Sequence, residues 1–324
     1  MSEMKSMARK SFGDGGRAFV FSRSKKIRFV TTYIWSKTFS FWYEVKTPRL
    51  RLFTYEVIYS VRRGFHLPPP RLRWLRLNRV STTFGVFNIR PGTTDAACVS
   101  PAFERPDLNH LMTLLSKRLS AGRTVLFIDV GADVGTYSIS VANRLRHLGG
   151  LRVMAFEPAR SSYDLLRENL AVNGLTEIVD PRPLGLGDGS IESATLQCNP
   201  REPGTNSLNP SFVWRSELTE KVEISTIDEQ IGTTVLPDVV ALKLDVEGSE
   251  IAVLEGASAT PRPFQDHYVS PRMVKGRSME RAAHRVASVM SVRPAMRSAP
   301  MARFLSVAMA LGPDRVLTWD LSSW

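Results

Sequence analysis

The feature that most restricts what this chain can fold into is the run Val125–Val130, which opens directly into Gly131-Ala132-Asp133-Val134-Gly135 and then into helical spacing through about Arg146. An apolar run of this length, bounded by a glycine turn, reads as a strand buried on both faces, and such strands belong to parallel sheets covered by helices. The two glycines allow a sharp turn and a close approach of ligand to backbone at the carboxyl edge of the sheet. Their spacing, Gly-x-x-x-Gly, is neither the Gly-x-Gly-x-x-Gly of a dinucleotide site nor a phosphate-binding P-loop, which favours a cofactor without a pyrophosphate. The alternative reading of the turn is a packing device.

The middle of the chain repeats the strand-then-helix pattern. Leu151–Phe156 reads as a second strand. A second helix over Ser161–Asn173 carries Tyr163, Leu165, Leu166 and Leu170 and ends at Gly174. Ile178–Leu184 is a third strand, weakened by Pro181 and Pro183, and Val239–Leu244 is a fourth, feeding Asp245-Val246-Glu247-Gly248 and a helix through Gly256. Ala194–Cys198 and Lys221–Thr226 read as hairpin or insertion strands between them. Ahead of the first strand, Phe84–Ile89 has strand character and Asp107–Leu119 helical spacing. This alternation predicts an α/β, Rossmann-like sheet with flanking helices. After Ala257 the pattern breaks. Residues 258–300 hold five prolines among Arg, Ser and Met, with no buried strand evident. Phe304–Leu311 reads as a short helix and Arg315–Leu321 as a short strand, so the sheet is expected to be incomplete after its fourth strand.

Three regions follow: a basic leader and accessory region (1–80), the α/β domain (81–257) and an atypical basic tail (258–324). Charge supports this division. Residues 1–80 hold 18 Lys/Arg against 4 Asp/Glu and residues 258–324 hold 10 against 4, while the whole chain carries +12, so the middle is acidic. Basic ends of this kind suit nucleic acid, anionic lipid or another polyanion, or are simply solvated extensions. The two cysteines, Cys98 and Cys198, are too few for a disulfide framework or a cysteine metal cluster. No apolar stretch reaches the length of a membrane span and no secretory signal is visible, so the expected location is cytoplasmic.

Phe156-Glu157-Pro158 places a carboxylate at the end of the second strand, where it can accept both hydrogen bonds of a ribose diol. The other reading of Glu157 is an acid favoured by the following helix's dipole. With the glycine turn, this order of motifs resembles the FkbM family of S-adenosylmethionine-dependent methyltransferases over about Phe84–Ala257. The resemblance rests on Asp129–Gly135, Phe156-Glu157-Pro158, Glu168-Asn169-Leu170 with Asn173-Gly174-Leu175, Thr226-Ile227-Asp228 and Leu242–Glu250, with support from Asp95, Phe103-Glu104 and Asp107-Leu108-Asn109.

The resemblance implies a class I methyltransferase sheet and transfer of a methyl group from S-adenosylmethionine, usually to oxygen, on a small-molecule or glycan acceptor. The backbone of Gly131, Ala132 and Gly135 would cradle the methionine portion, Asp129 would orient the loop or the ammonium group, and Glu157 would hold the ribose. Asp188 would lie on the adenine side, or serve only as turn chemistry in Gly187-Asp188-Gly189. Asp245 and Glu247 would take a substrate proton, or cap the following helix, and Lys243 would stabilise developing negative charge. No third ligand accompanies the two carboxylates, so no metal is expected. The five histidines are scattered and read as structural or surface residues. The competing function is a non-catalytic or inactive Rossmann-like protein whose basic extensions contact a polyanion.

Overall fold

The computed structural model describes residues 45–47, 49–64, 77–101, 103–209, 218–232, 237–257, 266–269, 306–310 and 316–320. Most of the basic leader and accessory region 1–80 therefore lies outside the described residues. The chain enters through β1 (Val45–Thr47) and α1 (Arg49–Gly64). Then β2 (Arg79–Thr82) and β3 (Val86–Asn88) complete an antiparallel sheet in the order β1-β2-β3. Two helices, α2 (Asp95–Cys98) and α3 (Arg105–Ser120), lead into the main domain.

That domain alternates as the sequence predicts: β4 (Val125–Val130), α4 (Thr136–Leu145), β5 (Leu151–Phe156), α5 (Arg160–Asn173) and β6 (Val179–Arg182). An excursion follows through β7 (Gly185–Leu186), β8 (Ser193–Cys198), β9 (Leu218–Ser225) and α6 (Ile227–Ile231), and the chain returns in β10 (Val239–Leu244) and α7 (Glu250–Glu255). The central sheet has the order β10-β4-β5-β6 with every pair parallel, a Rossmann-like arrangement. In register, Lys243 of β10 lies opposite Asp129 of β4, which lies opposite Ala155 of β5.

All six residues of β4 are buried, and so are all six of β10. Alternate side chains serve opposite faces: Val125 and Phe127 join one apolar cluster with Leu115, Ile139 and Leu166, whereas Leu126, Ile128 and Val130 join another with Ile227 and Val253. Fully burying a side chain such as Phe127 or Ile128 contributes about 1.5–3 kcal/mol, so helices on both sides are what make this strand stable. Gly174 ends α5 in the left-handed conformation, as its position predicts.

The structure departs from the sequence reading in three places. The third strand is not continuous over Ile178–Leu184: β6 stops at Arg182, and after Pro183 the chain resumes as β7, which pairs with β9 instead. Pro183 has no N–H to offer a ladder, so the break falls there. The tail holds strand β11 (Asp266–Val269) beside β10, where no strand was evident, because four residues beginning with Asp and His are too short to carry a periodic signal. Residues within Phe304–Leu311 form strand β12 (Ser306–Ala310) rather than a helix, pairing antiparallel with β13 (Val316–Asp320) and parallel with β11. A short apolar run is compatible with either state, and a pairing partner decides it.

Candidate functional site

The ends of β5, β4 and β10 converge on one cavity of about 200 Å3. Three loops build its floor: Gly131–Asp133 after β4, Glu157-Pro158 after β5, and Asp245–Glu247 after β10. Tyr59, Phe103 and Glu104 line it from the N-terminal region, and Thr205 and Asn206 from the β8–β9 connection. Among the described residues, no group of three or more His, Cys, Asp or Glu side chains is arranged to hold a metal ion.

The β4 and β10 loops are joined at Gly131. Its φ is +76°, and a Cβ there would sit 2.0 Å from the carbonyl oxygen of Asp245, so only glycine lets the two strand ends meet. The Gly131 and Ala132 amides both donate to the Phe156 carbonyl at 3.0 Å, which ties the turn to β5 as well. Gly135 has a different task. It opens α4 with φ +91°, and a Cβ would lie 2.7 Å from Leu166 Cδ1, so this glycine permits helix packing and does not line the cavity.

Beneath the turn lies a buried ion pair. Lys243 Nζ is 3.0 Å from Asp129 Oδ1 and donates to the Gly131 carbonyl at 2.9 Å, with Asp245 Oδ2 at 3.8 Å. The Lys243 side chain is 4% exposed and that of Asp129 0%. Asp129 Oδ2 also accepts the Ser138 amide and hydroxyl at 3.1 and 2.6 Å, fastening the start of α4 to the end of β4. Burial pulls the Lys243 ammonium down, but Asp129 and Asp245 outweigh it and hold the group firmly charged. Asp129 is thus walled off from the cavity and arranged to orient the loop. Lys243 does line the cavity, yet its ammonium is committed to Asp129 and the glycine turn.

Glu157 is 6% exposed at the cavity wall. One oxygen accepts the Asp133 amide at 2.8 Å and the other the Ala159 amide at 2.9 Å, at the head of α5. The carboxylate therefore serves the helix terminus, as one sequence reading had it, while also facing the site. Burial, then the neighbouring Asp133 carboxylate, pushes its pKa up to about 8.

Asp133 belongs to a network that sequence reasoning missed. Arg90, just past β3, grips Asp95 with Nε and Nη2 at 2.8 and 3.0 Å and reaches Asp133 Oδ1 at 3.0 Å, which also accepts the Ser162 hydroxyl at 2.8 Å. Nothing in the spacing of residues 90, 95, 133 and 162 announces this, because the contacts exist only once the β3 hairpin is laid against α5.

Asp245 and Glu247 both line the cavity. The helix that follows them, α7, begins at Glu250 after the N-cap Ser249, and the carboxylate that accepts the Gly248 amide, at 2.9 Å, is that of Glu250. Glu247 has φ +47°, and its carbonyl accepts the buried Ser207 hydroxyl at 2.7 Å, docking the Thr205–Leu208 loop onto the β10 loop. Asp188 stands apart. It is exposed, accepts the Ser190 amide and hydroxyl at 2.9 and 2.6 Å in a tight turn, and does not line the cavity. Those hydrogen bonds hold its carboxyl below the usual range.

Fold and site together define a class: a Rossmann-like parallel sheet whose carboxyl edge carries a glycine turn, an acidic residue at the end of β5 and two further carboxylates after β10 around one cavity. Residues 129–274 match the family model described as the methyltransferase FkbM domain. The match runs past Ala257 and takes in β11. The chain is 30% identical over 156 residues to methyltransferase sdnD of Sordaria araneosa, a stretch covering 40% of this chain and 59% of that protein. Among solved structures it is similar to an FkbM methyltransferase from Methylobacillus flagellatus, with 18% identity, a TM-score of 0.38, and coverage of 60% of this chain and 42% of that one. It is also similar to a SAM-dependent methyltransferase from Agrobacterium tumefaciens, with 13% identity, a TM-score of 0.36, and coverage of 75% and 67%. Among the described residues, no helix is long and apolar enough to cross a membrane.

Proposed function

We propose that the protein is an S-adenosylmethionine-dependent methyltransferase acting on a hydroxyl of a small-molecule or glycan acceptor, with cofactor and acceptor meeting in the cavity at the ends of β5, β4 and β10. The observation that carries this reading is the convergence of Glu157, the Gly131 turn and the Asp245–Glu247 loop on that one cavity. The residues fit the cofactor: a mostly buried carboxylate stands at the end of β5 for a ribose diol, and the turn after β4 is one that a side chain at residue 131 would close.

The cofactor supplies a methyl group on a sulfonium, already electrophilic. The protein's part is then positioning and proton removal. Glu157 takes the ribose hydroxyls. Asp129 and Lys243 hold the turn from below, and Lys243 acts through the loop. Gly131 and Ala132 give the cofactor a flat backbone to lie against. Asp245, with Glu247 beside it, would accept the proton of an acceptor hydroxyl that the cofactor's methyl group is to reach.

Calorimetric titration with S-adenosylmethionine tests the reading. Wild type and Asp245→Asn are expected to bind, Glu157→Gln to bind at least tenfold more weakly, and Asp245→Asn to lose methyl transfer to a panel of neutral polyhydroxyl acceptors. A folded wild type that takes up no S-adenosylmethionine would refute it.

A further inference from the structure

Arg90 is a cation that the proposed function leaves unused. It lies ahead of the segment matched by the family model and does not line the cavity. Its side chain is nevertheless held on every edge. Nε and Nη2 take both oxygens of Asp95, a carboxylate with no exposed surface, and the Arg90 amide donates to Asp95 Oδ2 at 2.9 Å. Nη1 donates to the Ser162 and Ser161 hydroxyls at 3.1 and 3.4 Å, in the first turn of α5. A planar guanidinium gripped in this two-pronged way keeps a fixed orientation, which a lysine ammonium could not copy. That orientation sets Nη2 3.0 Å from Asp133 Oδ1.

Asp133 needs such a hold. Its φ is +45°, a left-handed backbone that a residue with a side chain keeps only where its surroundings impose it. In that conformation its amide meets Glu157 Oε2 at 2.8 Å, and both residues line the cavity. Asp95, Asp133 and Glu157 also crowd three carboxyl groups around a single cation. With Arg90 removed, repulsion between Asp95 and Asp133 favours a different turn at residue 133, and the amide comes off Glu157. The contacts thus run in one line, from the end of β3 through the Asp133 side chain and backbone to the carboxyl group at the end of β5.

Resting on the proposed function, we infer that Arg90 is a positioning residue for the cofactor: acting through Asp133, it fixes the Glu157 carboxyl group where the ribose diol is taken. The N-terminal hairpin is in this way part of the cofactor site, although no residue of β2 or β3 lines the cavity.

A double-mutant cycle on the full-length protein, read by calorimetry with S-adenosylhomocysteine, tests the connection. Arg90→Met is expected to weaken binding about tenfold in the wild-type background and less than about twofold in a chain that already carries Glu157→Ala, because the side chain through which Arg90 acts is then gone. An arginine that served only the stability of the hairpin would cost the same factor in both backgrounds. Arg90→Lys, which keeps the charge and gives up the fork, is expected to lose about threefold with the same dependence on Glu157, and it carries the cycle if Arg90→Met lacks a cooperative melting transition. The inference is overturned if the loss is equal in the two backgrounds, or if the folded Arg90 variants bind as wild type does while Glu157→Ala binds more weakly. A folded wild type that takes up no S-adenosylhomocysteine overturns the cofactor reading itself.

Discussion

On the proposed reading, Glu157 has two jobs whose demands differ. For the fold it bridges the Asp133 and Ala159 amides in a place that favours its protonated form, and for a ribose diol it must be a carboxylate. With its pKa raised to about 8, above that of an unfolded chain, the group's contribution to stability is fully present below the ordinary carboxylate range and is lost as pH rises through about 8. Asp133 strengthens this trend and Arg90 opposes it. The expected outcome is that wild type loses several degrees of melting temperature relative to Glu157→Gln between pH 5 and 9. Over the same range S-adenosylmethionine binding tightens up to about pH 8, with proton release visible as a buffer-dependent calorimetric heat. A pH-independent difference between the two proteins would contradict the assignment.

At the scale of elements, the N-terminal hairpin is attached to the domain by side chains. Asn169 Oδ1 accepts the Asn88 amide at 2.6 Å and Asn173 Oδ1 the Val86 amide at 2.9 Å, while their amide groups donate back to the Asn88 and Val86 carbonyls at 3.2 and 2.7 Å. Two asparagines one helical turn apart on α5 thus imitate a neighbouring strand along β3. This explains why Glu168-Asn169-Leu170 and Asn173-Gly174-Leu175 stand out in the sequence without touching the cavity. It also holds Arg90 in reach of Asp133. Replacing both asparagines with alanine leaves partly buried β3 groups unpaired, which costs at most about 1–3 kcal/mol for each group. Hydrogen exchange in residues 79–90 is expected to speed up by one to two orders of magnitude, with exchange in β4 little changed.

For the whole molecule, the cavity is walled by segments as distant in sequence as Tyr59 and Asn206, so on the proposed reading cofactor binding is coupled to global stability. At a concentration one hundred times the dissociation constant, a ligand that binds only the folded state adds about 2.7 kcal/mol. For a domain of this size that is a rise of roughly 5–10 °C in melting temperature. Scanning fluorimetry with S-adenosylmethionine is expected to show this rise in wild type and a smaller one in Glu157→Gln at the same concentration. No rise at high S-adenosylmethionine concentration would mean that the folded protein does not bind it.

Much of this architecture was legible in advance. Four parallel strands, their helices and the floor of the cavity follow from apolar runs and from the small or acidic residues that end them, because burial on both faces and a tight turn each demand particular residue types within a few positions. Only the tertiary structure could show that Asp129 and Lys243 neutralise each other beneath the turn, that Glu250 rather than Asp245 serves α7, or that Arg90 and Glu104 reach the site. Those facts depend on register between strands and on loops brought together from far apart in the chain, and local spacing carries no record of either. The sequence by itself determined the periodicity of the core and the chemistry available at the strand ends. Which of those groups face the cavity and which are spent on each other was decided by packing, since a charge buried at a strand end must be paired before the fold can close over it.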